Sequence, residues 1–283
     1  MGRMFRIITE GPIEAVTAGA ALAHPQESDF VSGGAPYIEV GGPKTVFHSQ
    51  QAPIEQTPPP RGREYLSVNL QDLAKPAPRI ATIAPDIVAF HHPQHAISAE
   101  YRELVGDLRR QVGGTGSRAI HFSAATRDRG TTTVVVNLAV TLAKEDDARV
   151  LVVDADFEHA MAARKLGLAE EPGLAEVLAQ TTPLAWVVQP TAISNLQALS
   201  AGRLLKPESL AEMPRVLAQL RQWFDWILVD GGILGEQPGR DACLCAHDAA
   251  YIVARSGESV SAATRQVVSH HGGVLRGFIT TQL

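Results

Sequence analysis

From about residue 96 onward, apolar positions follow two alternating rhythms. Ile97, Tyr101, Leu104, Leu108 and Val112 share one face at helical spacing, which predicts a helix from Ile97 to Val112. Arg118–Ser123 reads as a short strand, and Thr131–Lys144 as a helix apolar on most sides and therefore well buried. Arg149–Val153 is an apolar strand leading into Asp154, and Trp226–Val229 is another ending at Asp230. Between them lie a short helix at Gly173–Ala179, a strand at Leu196–Leu199 and an amphipathic helix at Pro207–Phe224, with Pro207 suited to the first turn. Ala249–Ala254, Ser259–Ser269 and Val274–Thr280 close the series as strand, helix and strand. The strands are apolar runs and not period-two patterns, so they predict a parallel sheet covered on both faces.

The first third has a different texture. Twelve of the 18 prolines lie at or before Pro93, including Pro58-Pro59-Pro60. Proline lacks an amide hydrogen and locks φ, so this stretch resists helices and sheet ladders alike. The reading is a Pro-rich, mostly extended, disordered tail over 1–95, with a short helix near Ile13 to Ala23, followed by an α/β domain over 96–283. A small irregular domain is the alternative for the tail.

Composition narrows the function classes. The 283 residues are 45% apolar with a net charge of −5, enough for a full core and unsuited to non-specific nucleic-acid binding. No segment approaches the roughly 20 apolar residues that span a bilayer. Cys243 and Cys245 stand too close together to staple a fold, and a reducing cytoplasmic location is the default. With His247 they resemble a metal knuckle without the second pair that zinc requires, and a buried helix is the simpler reading. His91, His92 and His95 read as linker histidines.

Candidate chemistry lies at the strand ends, where open α/β sheets bind ligands. The first strand runs into Ser123-Ala-Ala-Thr-Arg-Asp-Arg129-Gly130-Thr131-Thr132-Thr133 and then a helix. Gly130 lets the backbone approach an anion, the amides of 130–133 converge on it, and a hydroxyl such as that of Thr132 can ligate Mg²⁺. The phosphate-loop pattern nevertheless fails twice, with Ala125 at the first glycine and Thr131 at the lysine. A strand, turn and Thr-capped helix explains the loop about as well. Asp154, Asp156 and Asp230 strengthen the phosphate reading, since carboxylates after apolar strands can hold Mg²⁺ or position an attacking hydroxyl. Helix capping and surface charge are the alternatives for Asp154 and Asp156.

Together these segments resemble the P-loop domain of bacterial tyrosine kinases, within the class that includes the MinD and ParA ATPases. The resemblance runs over 97–281. It rests on Ser98-Ala-Glu-Tyr-Arg102, on Gly130–Thr133 with Asn137-Leu138-Ala139, and on Leu151-Val-Val-Asp154-Ala-Asp156, the Walker A′ motif. It continues through Gly173-Leu-Ala-Glu-Val-Leu, Asn195–Gly202 with Pro207-Glu-Ser-Leu, Phe224–Asp230 as Walker B, and Ala246–Ala254 with Val274–Gly277. The implied fold is a doubly wound, mostly parallel sheet of about seven strands. The implied cofactor is Mg-ATP, held by Arg129, Gly130, Thr131, Thr132 and Thr133, with Thr132, Asp154 and Asp230 at the metal and Asp154 and Asp156 in catalytic positions. The implied partner is the cytoplasmic segment of a membrane polysaccharide co-polymerase. Homo-oligomers and recruitment to the inner face of the plasma membrane follow from the same resemblance.

Departures from the family pattern shape the functional expectation. Thr131 carries no charge, Glu158 stands where an arginine follows the second aspartate motif, and Ala99 and Val105 leave only Arg102 of the ring-assembly helix. The tyrosine-rich tail of the family is not seen before Leu283. These changes point to a degenerate, regulatory member in capsule or exopolysaccharide export that binds Mg-ATP weakly or not at all. The alternatives are an active ATPase or kinase with an atypical loop, to which Arg127 and Arg129 would lend charge, and a positioning ATPase of the MinD/ParA kind.

Overall fold

The computed structural model describes residues 5–8 and 82–281, except 128, 146, 204–205, 237–240, 242, 257–260 and 272. Eight strands form one sheet: β1 (Phe5–Ile8), β2 (Arg118–Ala124), β3 (Val150–Asp154), β4 (Val188–Pro190), β5 (Leu196–Leu199), β6 (Trp226–Ile233), β7 (Ala249–Arg255) and β8 (Leu275–Thr281). Their order is β1-β8-β7-β2-β6-β3-β5-β4. The six inner strands are parallel, and β1 and β4 close the edges antiparallel. The doubly wound, mostly parallel sheet read from the sequence is therefore present, extended by two edge strands.

Among the described residues, eight α-helices accompany the sheet: α1 (Val88–His91), α2 (Ala96–Val112), α3 (Thr131–Glu145), α4 (Ala162–Lys165), α5 (Leu174–Leu178), α6 (Leu184–Val187), α7 (Met213–Leu220) and α8 (Ala262–His271). Alternation along each inner strand sends side chains into two cores. Ile120, Phe122, Val152, Leu228 and Tyr251 pack with α1, α2 and α3. Ala119, Leu151, Ile227 and Val229 pack with α5 and α7, and Ala250, Ile252 and Phe278 continue that face toward α8. Covered on both faces, the strands have no use for polar alternation. Among the described residues, no helix is long and apolar enough to cross a membrane.

Two elements depart from the expected outline. The single helix expected over Pro207–Phe224 is a 3₁₀ segment, Pro207–Glu212, followed by α7. Pro214 lacks the amide that would carry one α-helix through, and it sits instead in the first turn of a new one. The tail boundary at 95 also moves. Phe5–Ile8 pairs along β8 in register Phe5↔Thr281 to Ile8↔Phe278. Ile83, Ile87 and Ala89 are buried in the core around α3. Residues 9–81, with the short helix expected near Ile13 to Ala23, lie outside the described residues.

Segment 82–95 is clasped by α3. Asn137, fully buried, accepts the Ala89 amide at 2.9 Å and donates to Asp86 O at 3.1 Å and Thr133 O at 2.8 Å. Lys144 Nζ donates to Ala89 O at 3.1 Å and lies over the Phe90 ring. Asp86 accepts the Thr133 hydroxyl at 2.9 Å and pairs with Lys165. The histidines expected as linkers have local work: His95 Nδ1 accepts the Ile97 amide at the start of α2, and His91 Nε2 meets Ile83 O. A chain beginning at residue 82 should therefore be more stable than one beginning at 96, which exposes the pocket of two isoleucines and orphans Asn137. The expected difference is roughly 3 kcal/mol or more. Urea midpoints of the two truncations check this, and equal midpoints would show the clasp to be energetically idle.

Candidate functional site

Strand register sets the site. Asp230 is level with Asp154 on one side and Phe122 on the other, so the C-terminal ends of β2, β6 and β3 form one row. β6 lies between β2 and β3, and two carboxylates from adjacent parallel strands stand side by side. Both are buried, at 0% exposure for Asp154 and 1% for Asp230. Burial, and then the neighbouring Asp230 charge, push the Asp154 carboxyl well above the ordinary carboxylate range. Three backbone amides oppose that push. Asp156 N donates to Asp154 Oδ1 at 3.1 Å, and Met161 N and Ala162 N donate to Oδ2 at 3.0 and 2.9 Å.

The loop after β2 delivers the other half of the site. Gly130 has φ +72°, a conformation that L side chains rarely adopt, and its carbonyl accepts the Val134 amide at 2.9 Å as α3 begins. The Thr132 hydroxyl donates to Asp230 Oδ2 at 2.5 Å. Thr132 and Asp230 are thus brought together, with Asp154 in the same row. Thr131 is buried, and its Oγ1 has no hydrogen-bond partner. The position where the phosphate-loop pattern wants a lysine contributes neither charge nor a hydrogen bond. Thr133 turns away to Asp86. Arg129 is half-buried, with interactions of its own.

Asp156 has a loop-building task. Its Oδ1 accepts the amides of Glu158 and His159 at 3.3 and 3.1 Å, holding the turn after β3. The sequence reading pairs it with Asp154 as a catalytic carboxylate, and in the fold both carboxylates accept backbone amides of the turn after β3. The donor set of the Thr132 hydroxyl with the Asp230 and Asp154 carboxylates is all hard oxygen, which suits Mg²⁺ completed by phosphate oxygens and water.

Three features escaped the sequence reading. Arg127 reaches His159 and Glu236, one from each of the other two loops. His121 donates or accepts at Ser123 Oγ, 2.8 Å away, and its ring fills the space that a side chain at Gly231 would need. His247 is edge-on to His121 with centroids 4.9 Å apart, and burial pushes its pKa down to about 4. Only the glycine after Asp230 hinted at this packing. The Cys243–His247 segment, expected as a buried helix, is a 3₁₀ turn whose thiols diverge, Cys243 toward Leu210 O and Cys245 toward His271. Among the described residues, no group of three or more His, Cys, Asp or Glu could by itself hold a metal ion.

No family model matches the chain. Among curated proteins it is similar to the tyrosine-protein kinase ptk of Acinetobacter johnsonii, 24% identical over 182 residues, covering 63% of this chain and 24% of that protein. It is also similar to the tyrosine-protein kinase etk of Escherichia coli, 26% identical over 147 residues, covering 50% and 20%. The chain therefore matches about a quarter or less of these relatives' length. Among solved structures, the kinase domain of the Escherichia coli tyrosine kinase ETK superposes with a TM-score of 0.64 at 21% identity, covering 71% of this chain and 82% of that one. The BceF tyrosine kinase domain superposes with a TM-score of 0.60 at 25% identity, covering 69% and 81%. By sequence the chain is similar to these tyrosine-protein kinases, and its fold is similar to that of bacterial tyrosine kinase domains.

Proposed function

We propose that this chain is a regulatory, kinase-like component of capsule or exopolysaccharide export that binds Mg-nucleotide weakly. The single observation that carries the reading is the Thr132–Asp230 hydrogen bond with Asp154 in register, beside an uncharged, buried Thr131. The metal corner of a phosphate site is kept and its cation is lost. When bound, Mg²⁺ would supply positive charge against the phosphates and the paired carboxylates. Thr132 and Asp230 would hold it, Asp154 would orient its water shell, and the amides of 130–133 would face the phosphates. A lost charge-assisted contact of the lysine type costs roughly 1.5–3 kcal/mol, or about ten- to a hundredfold in affinity.

Further support comes from surfaces that the family likeness would use for assembly and transfer. Val105 is fully buried in the core, and Arg102 donates to Pro93 O at 2.9 Å within its own chain. Of the assembly positions, Val105 is therefore turned to the core, and the exposed Arg102 is engaged within its own chain. Tyr101 and Tyr251 are 3% and 1% exposed, so neither is presented as a phosphoryl acceptor. Tyr37 and Tyr65 lie outside the described residues. The partner in this reading is the cytoplasmic segment of a membrane co-polymerase, which would recruit the chain to the inner membrane face.

The deciding experiment is Thr131→Lys. Calorimetric titration with Mg-ATP should show affinity rising roughly ten- to a hundredfold. Anti-phosphotyrosine detection on the same variant should stay blank. Unchanged affinity would mean that the loop is not a phosphate cradle, and strong phosphotyrosine at Tyr37 or Tyr65 would overturn the regulatory reading.

A second test uses the acid pair. Because the folded-state pKa of Asp154 is raised, stability falls as pH climbs from the ordinary carboxylate range through that raised value. Asp230→Asn removes the neighbouring charge. It should raise the ligand-free Tm at mildly alkaline pH by about 2–4 °C, equivalent to roughly 1 kcal/mol, and the gain should fade on acidification. Thermal melts across pH check this, and a gain independent of pH would remove charge repulsion as its cause.

A further inference from the structure

One side chain crosses the mouth of the site. Arg127 lies in the loop after β2, His159 in the loop after β3 and Glu236 in the loop after β6. Arg127 Nη1 is 2.8 Å from His159 Nε2, and Nη2 is 3.5 Å from Glu236 Oε2. β2 and β3 are not neighbours, because β6 stands between them. Strands with one other strand between them are separated by roughly 10 Å. The guanidinium therefore passes over the end of β6, the strand that carries Asp230.

The surroundings of this crossing suit a reversible contact. The Arg127, His159 and Glu236 side chains are 55%, 54% and 40% exposed. A solvent-exposed ion pair at this separation holds weakly. His159 is itself fixed by its amide bond to Asp156 Oδ1 at 3.1 Å, so the far anchor is set by the loop that Asp156 builds. Thr131 supplies no charge, and Arg129 is half-buried with interactions of its own. That leaves Arg127 as the exposed cation of the loop, and its planar fork can take two phosphate oxygens at once.

We propose that Arg127 is the phosphate-binding cation of this site, and that Glu236 and His159 hold its guanidinium across the mouth until a nucleotide's phosphates compete for it. This rests on the nucleotide reading above and adds a built-in competitor to it. Affinity is then low for two reasons: a missing lysine, and an arginine already engaged.

A double-mutant cycle on the full chain tests the competition, with Mg-ADP and Mg-ATP titrated calorimetrically to millimolar concentration. Arg127→Ala should weaken binding about tenfold. Glu236→Gln should tighten it about two- to fivefold by freeing the guanidinium. In the Arg127→Ala background, Glu236→Gln should change nothing. The same tightening in both backgrounds would show that Glu236 only repels phosphate, and would overturn the proposal. So would binding unaffected by Arg127→Ala, although the nucleotide reading would survive both results. Binding by none of the four proteins would overturn the nucleotide reading and this proposal together. Both changes are at exposed side chains, and unchanged melting temperatures would verify that each variant is folded.

Discussion

The constraint on which this architecture turns is the parallel register that sets Asp230 beside Asp154. Parallel strands with equal apolar runs end level, so residues following those runs meet across the sheet. Val150↔Trp226 fixes the pairing at one end of the run, and Asp154↔Asp230 follows from it at the other. A one-residue slip would turn every apolar side chain of β3 to the wrong core, so packing on both faces holds the two acids together. Burying two carboxyl groups side by side is costly, and the structure meets that cost locally. Three amides point at Asp154 and a hydroxyl at Asp230. Such an arrangement sacrifices stability for a site that favours a cation.

Helix α3 links that site to the rest of the molecule. Its first turn carries Thr131, Thr132 and Thr133, and its centre carries Asn137. Thr132 faces Asp230, whereas Thr133 and Asn137 face Asp86 and Ala89. One helix therefore presents the loop to the acids and straps segment 82–95 to the domain. Lys165, at the end of α4, reaches the same Asp86, so the turn after β3 is tied to the strap as well.

Most of the sheet was legible because it is written locally. Apolar runs flanked by glycine or charge marked β2, β3, β5, β6, β7 and β8 to within a few residues, and the acids at two of their ends located the crevice. β1 and β4 were not read, because four- and three-residue edge strands carry too little pattern to stand out. The strap was hidden for a different reason. Residues 82–95 look like tail by proline count, and only the distant amide of Asn137 makes their backbone satisfiable in the core. Arg127 was noticed as a charge in the loop, but its partners lie 32 and 109 residues away, and only the strand order brings them together.

The packing behind Asp230 explains why shape, and not added charge, orients the acid pair. Gly231 has no side chain because the His121 ring occupies that space, and the His247 ring backs His121. Charged rings here would attract the carboxylates and compete with any cation approaching from the loop side. Burial keeps His247 neutral at physiological pH by pushing its pKa down to about 4, with its Nδ1 at 3.1 Å from Cys243 O. The ring can then act as a wedge without acting as a counter-ion. The acids thus have no histidine counter-ion behind them, and Arg127 lies on the mouth side, where its guanidinium meets His159 and Glu236.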